Sequence, residues 1–149
     1  MSANTPTEKS VFTREFRNAV DAQWRVTVPS AWRFAEREVF YIRVKKDHLV
    51  VLPQAEQERF LAWSDTLPGA DREEVQEEWG KTTERVKIDS AGRLTLPSDW
   101  AKLVGIDTKK NAMLVGATVK FKIWDEARYD AISEPRRTRA KILMEGYDG

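Results

Sequence analysis

Cysteine is absent from this 149-residue chain, and histidine occurs once, as His48. Without thiols there can be no disulfide, thiolate metal site or cysteine nucleophile, a composition that suits a reducing cytoplasm. The lone imidazole falls in the charged turn Lys45-Lys46-Asp47-His48, so a catalytic triad, a histidine metal cluster and an imidazole base all lack support. No glycine-rich phosphate loop accompanies the acidic residues. No stretch approaches the roughly 18 apolar residues of a spanning helix, and no early apolar run follows a basic start. The expectation is a soluble cytoplasmic protein that is not an enzyme, with no catalytic residues, cofactor, metal, membrane partner or small-molecule substrate.

A dominant charge sign is also missing, since 25 Lys/Arg face 24 Asp/Glu. The charges are nevertheless segregated. Residues 1–53 and 85–130 each carry nine basic and six acidic side chains, whereas residues 54–84 carry three and nine. Two basic segments therefore flank an acidic one, which by itself fits a solvated helix between ordinary units equally well.

The most informative feature is a repeat. Arg17-x-x-x-Asp21-x-x-x-Arg25-x-Thr27-x-Pro29-Ser30-x-Trp32 recurs 68 positions later as Arg85-x-x-x-Asp89-x-x-x-Arg93-x-Thr95-x-Pro97-Ser98-x-Trp100, seven identities in sixteen positions. Unrelated segments of ordinary composition would share about one. A duplicated unit of some 50 residues is too small to bury a comfortable core alone. Two units packed about a pseudo-twofold axis solve that problem and present any binding element twice.

Hydrophobic spacing gives each unit the order strand, loop, strand, short helix, strand, turn, strand. Phe12, Phe16 and Val20 share a parity; Arg25–Val28 and Arg93–Leu96 alternate until a proline that cannot donate to a ladder. Ser30 and Ser98 are expected helix N-caps, and Gly105 before Ile106 a C-cap. Val39–Val44 with Leu49–Leu52, and Ala112–Val115 with Val119–Trp124, read as hairpins. Residues 1–10 read as a disordered leader, 11–53 as the first unit, 54–84 as a helical connector, 85–130 as the second unit and 131–149 as a solvated or frayed C-terminal tail. In the connector, helix Gln54–Asp65 stops at Leu67-Pro68-Gly69, and Asp71 with Glu74 suggests a capping box for a second helix.

Asp and Arg four residues apart lie across each loop tip. The aspartate suits a turn and can accept loop N–H groups. The arginine either locks that aspartate or reaches outward to phosphate or guanine, and residue chemistry leaves both open. In the first loop Trp24 stands where the second has Gly92, a position where glycine permits positive φ. A different conformation is therefore expected for the first loop, with Trp24 at a subunit contact or stacked on a sugar or base. Trp32 and Trp100, at matched positions, read as core or inter-unit packing.

The motif Asp-x-x-x-Arg, the strand Arg-Leu-Thr-Leu-Pro, the short helix and the Gly-Ile stop together resemble the AbrB/SpoVT swapped-hairpin domain. Two tandem copies with a helical connector, closed by Leu114-Val115-Gly116 and Phe121-Lys122-Ile123-Trp124-Asp125, resemble the MraZ family of bacterial transcriptional regulators. The likeness spans about Phe12 to Tyr129. It implies an α+β, β-rich fold of two tandem swapped-hairpin units packed with pseudo-twofold symmetry. It also implies a ring-shaped homo-oligomer, nucleoid-associated in the cytoplasm, that represses the division and cell-wall gene cluster. Double-stranded promoter DNA with short direct repeats would be read through Arg25 and Arg93, with Arg33 and Lys102 as further contacts. Asp21, Asp89 and Gly92 would structure the loops. An AbrB-like antitoxin or growth-phase regulator, or an assembly module acting through protein partners, remains open for the same fold.

Overall fold

The computed structural model describes residues 11–32 and 39–148. Its strands are β1 Glu15–Ala19, β2 Arg25–Thr27, β3 Val39–Val44, β4 Leu49–Pro53, β5 Thr83–Lys87, β6 Arg93–Thr95, β7 Asn111–Gly116 and β8 Phe121–Asp125. The helices are α1 Gln54–Ser64, α2 Gly69–Lys81, α3 Ser98–Leu103 and α4 Glu126–Asp148, with a 3-10 turn at Ser30–Trp32. The fold is mixed α+β and strand-rich, with every strand pair antiparallel.

Six strands form one sheet in the order β1-β7-β8-β4-β3-β5, while β2 and β6 form a separate two-stranded ribbon. The duplication governs this arrangement. β1 and β5, and β2 and β6, are related by 68 residues; β3 and β7, β4 and β8, and the starts of α1 and α4 are related by 72. Exchanging the halves reverses the sheet order onto itself. Each half lends its first strand to the other, β1 lying on β7 and β5 on β3. The ribbon is centred on the pair Val26↔Leu94, and the sheet on Val50↔Lys122, both pairs being repeat equivalents.

Alternation then sorts side chains into layers. Val26, Val28, Leu94 and Leu96 face down from the ribbon side onto Phe40, Ile42, Leu49, Val51, Leu114, Phe121 and Ile123 of the sheet, forming one buried cluster. Trp32 is fully buried there, its ring 4.9 Å from Phe121 and 5.3 Å from Phe16, and its indole N–H donates to the Thr13 carbonyl at 2.8 Å. The opposite sheet face carries Val50, Leu52, Met113 and Trp124, buried outside that cluster. Helices α1 and α4 cover this face.

Several sequence expectations need correction. The residues taken as a frayed tail form most of α4, continuous from Glu126 to Asp148. An ion pair of Arg17 with Glu126 and the 2.6 Å hydrogen bond from the Tyr129 hydroxyl to Glu15 tie its first turns to β1. Helix α1 belongs to the repeat as the counterpart of α4, so only α2 lacks an equivalent among the described residues. Strand β5 begins at Thr83, inside the range assigned to the connector. Ser30 and Ser98 are the first residues of their helical turns, and Ser98 makes no capping bond, Pro97 holding the cap position. Asp71 likewise sits inside the first turn of α2, behind Pro68. The leader, 1–10, lies outside the described residues. Gly105, by contrast, ends α3 as the sequence suggests: at φ +83° it donates to the Lys102 carbonyl, and Ile106 donates to that of Ala101, closing the helix end.

Candidate nucleic-acid interface

The ribbon's inner face holds Val26 and Leu94, so its period of two turns Arg25, Thr27, Arg93 and Thr95 outward together. Arg25 pairs with Thr95 and Arg93 with Thr27. The two arginines are thus diagonal neighbours on one exposed face, roughly 7–8 Å apart at the backbone. Both remain accessible, with 30% and 37% of their side chains exposed.

Each loop fixes its arginine in the same way. In the first, Asp21 Oδ1 accepts the backbone N–H groups of Gln23 and Arg25 at 2.9 Å, while Oδ2 accepts from Arg25 Nε at 2.8 Å. In the second, Asp89 Oδ1 accepts from the Ala91 and Arg93 N–H groups at 3.0 and 2.8 Å, and Oδ2 from Arg93 Nε at 3.1 Å. Ionised carboxylate is the better acceptor for these donors, and the carboxyls of Asp21 and Asp89 accordingly lie below their ordinary value of 3.8. The Arg25 and Arg93 backbone N–H groups are the leading causes. Holding guanidinium by Nε leaves the Nη end for another acceptor. Arg25 Nη2 rests against Gln23 Oε1 at 3.3 Å.

The expectation that Trp24 changes the first loop is overturned. Trp24 takes φ 62° beside 80° for Gly92, and both N–H groups close the same turn, onto Asp21 at 3.0 Å and Asp89 at 2.9 Å. A non-glycine residue held left-handed costs about 1–2 kcal/mol. Trp24 offsets that cost by packing half-buried on its own chain's core, and its carbonyl accepts from Leu96 N–H at 2.8 Å, as Gly92 accepts from Val28.

Lys102 lies on α3 of the second half, yet its ammonium stands 5.6 Å over the Trp24 ring, beside the first loop. The structure therefore brings Arg25, Trp24 and Lys102 into one neighbourhood built from both halves. Arg33 lies outside the described residues. Spacing alone did not single out Gln23, or Thr27 and Thr95 as outward neighbours of the arginines; the strand period carried the latter signal. Among the described residues, no group of three or more His, Asp or Glu could hold a metal, and no helix is long and apolar enough to cross a membrane.

A family model described as "MraZ protein, putative antitoxin-like" matches residues 81–141. The chain is 32% identical to the "Transcriptional regulator MraZ" of Desulfitobacterium hafniense (strain DSM 10664 / DCB-2), over 78% of this chain and 82% of the relative. It is 31% identical to that of Shewanella amazonensis, over 75% and 78%, and 29% identical to that of Lachnoclostridium phytofermentans, over 83% and 87%. Shared identity of this extent, reaching well beyond the arginine loops, shows that the chain belongs to the MraZ family.

Proposed function

We propose that this protein is a sequence-specific DNA-binding transcriptional regulator whose Asp21–Arg25 and Asp89–Arg93 loops meet promoter DNA. The reading is supported above all by one observation: two arginines, each held through Nε by its loop aspartate, share one exposed face of the ribbon. Guanidinium fixed along one edge is pre-organised for bidentate contact with phosphate or with guanine O6 and N7. Thr27 and Thr95 offer hydroxyls on the same face, and Lys102 adds a cation beside the first loop. The names of the relatives, transcriptional regulators, agree with it.

In finer detail, the chain is two tandem AbrB/SpoVT-like swapped-hairpin units about a pseudo-dyad, acting as a repressor of the division and cell-wall gene cluster from the nucleoid. The exchange of β1 and β5 between halves supports that architecture. Each arginine is partly neutralised by its aspartate, so a single loop pair gives weak, salt-sensitive binding. A ring-shaped homo-oligomer that sets several loop pairs on successive direct repeats turns weak contacts into avidity. Gel-shift titration with one, two and three tandem repeats from the chain's own footprinted upstream region tests this: affinity rises steeply with repeat number. Equal affinities for all three would remove the multivalent mechanism.

A further inference from the structure

A cleft of about 580 Å³ opens on the sheet face away from the arginine loops. Its lining gathers cations from separate elements: Arg43 on β3, Lys45 in the β3–β4 turn, Lys120 before β8, Lys122 on β8 and Arg59 on α1. Glu56 is the one carboxylate in that lining, and it faces Arg59 at 3.9 Å. Lys45, Lys120 and Lys122 have no ion pair among the described residues.

The like charges bear on one another. Burial, then the Arg43 and Lys120 charges, hold Lys45 below the ordinary lysine range. Burial, then Arg136 and Lys120, do the same to Lys122, with Asp47 opposing only in part. Arg43 is itself depressed by burial, with Glu78 opposing. It is braced in place: its guanidinium lies 3.8 Å over the Trp79 ring and donates to Thr82 and Thr83 hydroxyls at 3.0 and 3.1 Å.

The duplication does not require these charges. Lys122 is the repeat equivalent of Val50, its partner across the sheet centre, and Lys45 is the equivalent of Ala117. A cation thus stands at the centre of the sheet, where the other half has valine. A recess lined by charges of one sign focuses the field and attracts counter-ions. The cleft also carries Phe60 stacked at 3.7 Å on Trp79, and Trp63, 53% exposed, beside them. An exposed indole next to a cation cluster suits a planar ring linked to phosphates.

We propose that this cleft binds a small polyphosphate anion of the nucleoside-polyphosphate class, with Lys45, Lys120 and Lys122 on the phosphates and Trp63 against the ring. The site is separate from the arginine loops and does not depend on the DNA reading. A recess flanked by α1 and α2 admits a small molecule more readily than a stiff duplex.

The test is titration of the full-length protein with ATP, inorganic tripolyphosphate and a short DNA duplex, read by tryptophan fluorescence and calorimetry. Wild type, Lys45→Ala, Lys122→Val and Arg25→Ala are compared, with Lys122→Gln as a second variant should valine perturb folding. The expected result is saturable ATP binding, several-fold tighter than tripolyphosphate. It weakens at least tenfold in the lysine variants and is unchanged in Arg25→Ala. ATP also raises the melting temperature of wild type but not of Lys122→Val, which melts higher than wild type without ligand. Tripolyphosphate binding as tightly as ATP would overturn the nucleoside assignment. Undiminished ATP binding in the lysine variants, or a loss confined to duplex binding, would overturn the site.

Discussion

Trp24 and Gly92 hold the same left-handed backbone, and each carbonyl accepts from the residue just past the ribbon strand of the other half, Leu96 and Val28 respectively. The two loops are therefore coupled through the ribbon they flank. Both arginines inherit their position from that shared frame, and the first loop keeps it despite a residue poorly suited to the conformation.

Arg25→Ala and Arg93→Ala should each weaken promoter binding by about 1–3 kcal/mol and lower the salt slope by about 1, while secondary structure and assembly size stay unchanged. Arg25→Lys should retain much of the nonspecific affinity but lose discrimination between sites, because an ammonium cannot be held by Nε and still present a fork. Fluorescence anisotropy across a salt series, with circular dichroism and light scattering, separates these effects. A collapsed assembly in Arg25→Ala would show that the ion pair serves only the loop.

Acid should open both loops. The Asp21 and Asp89 carboxyls are depressed below 3.8, so their contribution is complete above that pH and is lost as pH falls through the lower folded values. Backbone amide shifts of Gln23, Arg25, Ala91 and Arg93, followed from pH 6 to pH 2, should report this transition with midpoints below 3.8. Midpoints at or above that value would contradict the hydrogen-bonding account.

Trp24→Gly should relieve about 1 kcal/mol of backbone strain but give up more in lost packing, leaving the protein about 1 kcal/mol less stable. It should also free Lys102 from its platform and weaken DNA binding a few-fold. Denaturant melts and anisotropy read the two effects independently; a stabilised variant with unchanged affinity would make Trp24 a passive passenger.

Gly116→Ala should be costly, because an added Cβ would lie 2.6 Å from the Phe12 carbonyl carbon and oxygen and 2.7 Å from Thr13 N. Backbone cannot yield as a flexible side chain would, so a loss of about 2–4 kcal/mol is expected, with the Phe12–Thr13 segment ahead of β1 pushed off the end of β7. Gly80→Ala, in α2 with nothing within 4 Å, should instead stabilise by about 0.5–1 kcal/mol. Thermal melts of the pair provide the contrast; equal melting temperatures would show that the approach of Phe12–Thr13 to Gly116 tolerates a side chain.

By itself, the sequence determined the duplication, the order of strands within each half, the Asp-x-x-x-Arg loops and the Gly105 stop. Each of these is a local matter of spacing, turn chemistry or a residue that only one conformation suits. The helical character of residues 126–148 escaped that reading, because Pro135 and a mixed charge run hide the period. The role of Trp24 escaped it too, since propensity disfavours positive φ and only packing on the core supplies the compensation. Tertiary structure alone decided that β1 and β5 change places between halves and that both arginines emerge on one face. It also decided that Lys102 stands over the Trp24 ring of the opposite half's loop, and that cations far apart in the chain meet in one cleft. Pairing across 100 residues depends on which buried faces fit together, and that is a property of the assembled core rather than of any segment within it.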